Sequence, residues 1–133
     1  MNKFNRTKVV QSLCRKYLSA LEKGDLEALL ALFTKDAMVF SPIFGECRVV
    51  DFYSYVIKAT KDRSMTLKNI MLGVVDPNQV AVYVSYTRAV ENNKPATIDT
   101  VDVFDLAADL SAFSSVTIIY DTAPVRGDFK API

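Results

Sequence analysis

The chain has 133 residues, half of them hydrophobic, which suits one domain over residues 1–133 with a sizeable core and excludes a disordered chain. Its 16 basic and 15 acidic residues give a net charge of +1, which offers no general attraction to nucleic acid or an anionic membrane. The absence of histidine excludes a His-ligated zinc or iron site and the Ser-His-Asp and Cys-His mechanisms.

The basic residues Lys3, Arg6, Lys8, Arg15 and Lys16 gather near the start and read as a solvated helix face. Lys3–Lys8 is not followed by the apolar run of a secretory signal, and no stretch approaches the length of a membrane-spanning helix. A helix is predicted over Phe4–Leu21, where Val10, Leu13, Cys14, Tyr17, Leu18 and Leu21 recur at three- and four-residue spacing. Gly24 ends it as a left-handed C-cap. Asp25 then caps a second helix, Leu26–Phe33, whose first turn carries Glu27. A short strand follows over Ala37–Phe40, stopped by Ser41-Pro42, and Ser41–Cys47 reads as a loop. Cys14 and Cys47 have no CxxC spacing and build no disulfide framework, which fits a reduced, cytoplasmic protein.

A third helix is predicted over Val49–Thr60, with Phe52, Tyr53, Val56 and Ile57 as contacts. Four longer strands come next: Thr66–Val75, Val80–Ala89, Ala96–Ala107 and Ala112–Asp121, separated by polar turns. The order implies an α+β domain with helices on one side of a curved, antiparallel sheet. Both faces of the late strands are partly apolar. One face packs on the helices, and the other is expected to bury itself in a homodimer through the outer sheet face.

The strand ATIDTVDVFDLA, Ala96–Ala107, carries the strongest chemical signal. Ala96, Ile98, Thr100, Asp102, Phe104 and Leu106 share one almost wholly apolar face, with Asp102 in its middle. A carboxylate there must find donors, take up a proton, or both. Asp99 lies on the opposite face, so Asp99 and Asp102 do not form a metal site. Tyr86 shares the phase of Val82 and Val84 and either lines the same interior or belongs to the core. An Asp-Arg-Asp arrangement around a water would need Arg88 with Asp99 or Asp121, whose strand phases match poorly.

The segment VVQSLCRKYLSALEKGDLEALLALFTKDAMVFSP, with the later strands to Tyr120, resembles the ketosteroid isomerase family within the NTF2-like and SnoaL-like superfamily. The resemblance implies a cone: three N-terminal helices packed in a curved, mainly antiparallel sheet, with an apolar pocket at the open end. It also implies an oxyanion hole made by a helix tyrosine and a protonated strand aspartic acid. Tyr17 in RKYLSAL and Asp102 in TVDVF match those positions, and Tyr53 in DFYSY falls where some members place a supporting tyrosine. Ser41, Tyr53, Tyr86 and Phe104 are the expected pocket residues. Ser41 stands where the family has its proton-moving carboxylate. A serine hydroxyl is no general base near neutral pH without an activating partner, which counts against steroid isomerisation by that route. The implied ligand is an apolar, oxygen-bearing small molecule, and the implied chemistry is that of an isomerase, cyclase or dehydratase acting through an enolate without metal or organic cofactor. The alternative is a non-catalytic ligand-binding or protein-interaction module.

Overall fold

The computed structural model describes residues 2–128. Helix α1, Lys3–Lys23, starts at Asn2, whose side chain accepts the Asn5 N–H at 2.9 Å. It ends at Gly24, whose φ of 69° is the left-handed conformation that a residue with Cβ resists. Asp25 caps α2, Leu26–Leu30, by accepting the Ala28 N–H at 3.1 Å. This helix is shorter than its apolar pattern predicts. Phe33 opens a strand instead, because it pairs with Phe113 and the Leu32 carbonyl takes the Phe113 N–H at 2.8 Å. Tertiary pairing overrides local propensity here.

Strand β1 therefore runs Phe33–Ser41, well beyond the expected Ala37–Phe40. The expected loop after it closes as a hairpin with β2, Gly45–Arg48, entered through Gly45 at a φ of 67°. Helix α3 covers Val49–Ala59 and hands directly to β3, Thr60–Leu72, six residues earlier than the polar sequence there suggests. β4 (Gln79–Val90), β5 (Ala96–Leu106) and β6 (Phe113–Tyr120) complete a six-stranded sheet of order β2-β1-β6-β5-β4-β3. All neighbours are antiparallel except β1 and β6. The α+β class holds, with one adjustment: only α1 and α2 precede the sheet, and α3 is inserted between β2 and β3.

The sheet wraps α1. Val10, Leu13, Cys14, Tyr17, Leu18 and Leu21 face its concave side, and β5 presents Thr100, Asp102, Phe104 and Leu106 inward as its alternation predicts. Phe104 stacks on Phe113 at 4.1 Å between ring centres and meets the Tyr17 ring edge-on at 4.8 Å. Arg6 ties the start of α1 to the β3–β4 turn, bonding the Pro77 carbonyl at 2.8 Å and Asn78 Oδ1 at 3.0 Å. No described helix is long and apolar enough to cross a membrane.

Candidate functional site

Between α1, α3 and the concave sheet lies a cavity of about 70 Å³. It holds a few waters or one small ring; a drug-sized ligand needs ~300–1,000 Å³. Helix α1 contributes Tyr17 and Leu21, α3 contributes Phe52, Tyr53 and Val56, and β3 contributes Thr60 and Met65. The remaining wall comes from Tyr86 and Arg88 on β4, Ile98, Thr100 and Asp102 on β5, and Ile118 and Tyr120 on β6. Phe44, in the β1–β2 turn, is the lining residue outside helix and strand, and it packs edge-on against Phe52 and Tyr55.

Asp102 is 4% exposed. Burial pushes its pKa up to about 7, and a hydrogen bond from the Tyr17 hydroxyl pulls the other way without cancelling it. Near neutral pH this carboxyl is therefore divided between acid and carboxylate. Tyr17 is 1% exposed, and its hydroxyl lies 2.8 Å from that of Tyr53. Burial first, and then the negative charge of Asp102, hold both phenols well above their ordinary pKa. Both stay protonated and are donors at any working pH. The result is a compact group of three acidic protons in a dry site, the arrangement that steadies a developing oxyanion.

Tyr86 lines the same cavity, 9% exposed, with a buried hydroxyl that has no hydrogen-bond partner. Burial holds its phenol above the ordinary value, and the first pull against that comes from the nearby Thr60 hydroxyl. That hydroxyl donates to the Val56 carbonyl at 2.6 Å and accepts from Arg63 at 3.0 Å. Arg88, 3% exposed, lines the cavity and bonds Asp128 at 2.9 Å.

Tyr17, Tyr53, Tyr86 and Asp102 thus meet around one space. Phe104 and Ser41 do not line it. Phe104 lies beneath Tyr17 as core. Ser41 lines a separate shallow groove at the end of β1 with Phe40, Glu46, Ile118, Ile119 and Tyr120, and its Oγ accepts the Phe44 N–H at 3.3 Å. Ser41 shares the phase of the buried Ala37 and Val39, but it is the last residue of β1, beside the hairpin turn, and the cavity does not extend to it. Asp99 accepts from Ser85 at 2.6 Å and Asp121 from the Ala123 N–H at 3.0 Å, so neither partners Arg88. Arg88 enters the sequence reading only through the Asp-Arg-Asp arrangement, and its partner Asp128 does not enter it at all. The phase of Arg88, shared with Tyr86, was legible, whereas Asp128 sits in an irregular tail without periodicity.

A sequence profile of the SnoaL-like domain matches residues 14–112, and the chain belongs to that family. Among solved structures it is similar in fold to PrhC from Penicillium brasilianum, at a TM-score of 0.75 and 14% identity over 91% of this chain and 85% of that one. A protein of ketosteroid isomerase-like fold from Catenulispora acidiphila, solved with trimethylamine, gives a TM-score of 0.74 at 11% identity over 87% and 90% of the two chains. The BvnE pinacolase of Penicillium brevicompactum gives 0.74 at 11% identity over 92% and 89%. No protein of curated function matches the sequence significantly.

Proposed function

We propose that this SnoaL-like protein binds an apolar, oxygen-bearing small molecule in the interior cavity, where Tyr17 and Asp102 hold a carbonyl, enol or phenol oxygen and Tyr53 orients Tyr17. One observation carries the reading: Asp102 is the one carboxyl lining the cavity among the described residues, and it is buried against two coupled phenols. A ketone held by these donors is acidified at its α-carbon, which supports isomerase, cyclase or dehydratase chemistry through an enolate. With Ser41 outside the cavity, proton transfer falls to Asp102 itself: its ionised form takes the α-proton while Tyr17 holds the oxygen, and a pKa of about 7 lets it return that proton. The pinacolase among its structural relatives is in keeping with small-molecule chemistry on this scaffold.

The test is a titration with phenol, whose absorbance reports ionisation, beside Tyr17→Phe and Asp102→Asn. Binding that shifts the ligand toward phenolate and weakens in both variants is expected; no binding at millimolar ligand sinks the reading. Because phenolate needs the protonated carboxyl, affinity is expected to fall as pH rises through about 7. The second reading, a non-catalytic binder, is favoured by the single lining carboxyl. Deuterium exchange at the α-carbon of 2-tetralone separates the two: acceleration supports an enzyme, and binding without acceleration supports the binder.

The outer sheet face exposes Phe40, Tyr83 and Ile119, and a homodimer through it follows from the same apolar pattern. A monomer mass by light scattering at high micromolar concentration is the result that rejects it. Cys14 and Cys47 are buried free thiols, in keeping with a cytoplasmic protein.

A further inference from the structure

The cavity has two polar ends. Asp102, with Tyr17 and Tyr53, forms one. At the other, Arg88 and Tyr86 stand two residues apart on the inward face of β4. In the β4–β5 register Asp102 lies opposite Val82, so the backbones of Asp102 and Arg88 are separated by six residues, or about 20 Å of strand. Electrostatics order the groups the same way. Tyr17 and Tyr53 feel Asp102, Tyr86 feels both Arg88 and Asp102, and Tyr120 feels Arg88 and Asp128. Tyr86 therefore lies between the ends.

Arg88 cannot shed its proton and must be matched by an anion when buried. Here that anion is the carboxylate of Asp128, 22% exposed, from the short tail beyond the 3-10 turn Ala123–Val125. A carboxylate is thus demonstrably accommodated at this point of the fold. Tyr86 adds an independent sign: its buried hydroxyl lines the cavity and completes no hydrogen bond, although the Thr60 hydroxyl lies near. A donor left unmatched inside a protein is costly, and a ligand oxygen in the cavity would satisfy it.

We propose that Arg88 and Tyr86 form an acid-recognition subsite for the carboxylate of a ligand whose other oxygen is held by Tyr17 and Asp102, and that Asp128 occupies that carboxylate's place in this structure. The inference rests on the oxyanion reading of the Tyr17–Asp102 end, and it narrows the ligand class to compact, single-ring hydroxy- or keto-acids, in keeping with a cavity of about 70 Å³. The Arg88 fork suits a carboxylate, and the ligand's anion displaces Asp128 toward solvent.

The experiment compares phenol with 4-hydroxybenzoate at pH 6, in the full-length protein, by titration calorimetry. The acid is expected to bind at least about tenfold more tightly than the phenol, as a charge-assisted contact supplies. That advantage is expected to fall toward unity in Arg88→Met, to shrink in Tyr86→Phe, and to grow in Asp128→Asn, which removes the internal competitor. Should Arg88→Met fail to fold, Tyr86→Phe and Asp128→Asn still decide. Equal or weaker binding of the acid, in wild type and in Asp128→Asn alike, overturns the subsite. Phenol binding that stays sensitive to Tyr17→Phe then leaves the oxyanion pocket standing. Tight binding of the acid that depends on Arg88 but ignores Tyr17→Phe and Asp102→Asn supports the subsite and sinks the pocket reading. Failure of both compounds to bind overturns both.

Discussion

The two ends of the cavity bury opposite charges to the same depth and resolve the cost differently. Asp102 and Arg88 are 4% and 3% exposed. A buried carboxyl can take a proton, so Asp102 needs no cation: burial carries its pKa to about 7 and two phenols complete its surroundings. A guanidinium has no such escape, and Arg88 instead draws Asp128 across from the tail. The fold thus keeps one end adjustable by pH and the other fixed in charge. The roles proposed for them follow the same contrast, proton chemistry at the titrating end and recognition at the fixed one.

The sharpest break of this contrast is Asp102→Asn followed by chemical denaturation across pH. The folded pKa lies above the unfolded value of 3.8, so the folded state holds the proton more tightly. Asp102 therefore favours folding below about pH 4, and this contribution is lost as pH rises to about 7. Between those limits wild-type stability is expected to fall relative to Asp102→Asn by about 4 kcal/mol, then to run parallel above. A stability difference independent of pH would mean that Asp102 ionises freely.

Asp128→Ala tests the fixed end. It leaves Arg88 buried without its counter-ion, and a loss of about 2–3 kcal/mol is expected in urea denaturation, with no step near pH 7. An unchanged midpoint would show that Arg88 finds water or another acceptor. The smallest effect is expected from Tyr86→Phe. Because that hydroxyl bonds nothing, its removal should change stability by less than about 0.5 kcal/mol or raise it. Tyr17→Phe, which breaks a buried phenol pair, should cost about 1–2 kcal/mol by the same measurement. Equal costs at the two tyrosines would deny that only one of them is matched.

Local pattern set much of this molecule. A period of 3.6 placed Tyr17 on the buried stripe of α1, a period of 2 placed Asp102 on the inward face of β5, and Gly24 and Asp25 marked the break between the first two helices. Those features are legible because the backbone geometry of a helix or strand fixes which side chains share a face, whatever lies opposite. The switch of Phe33 from helix to strand, the exclusion of Ser41 from the cavity and the burial of Phe104 as core beneath Tyr17 were decided by how the sheet closes. So was the capture of Arg88 by Asp128, 40 positions away. Such contacts join segments whose separation in sequence carries no periodic signal, and only the closed sheet brings them within bonding distance.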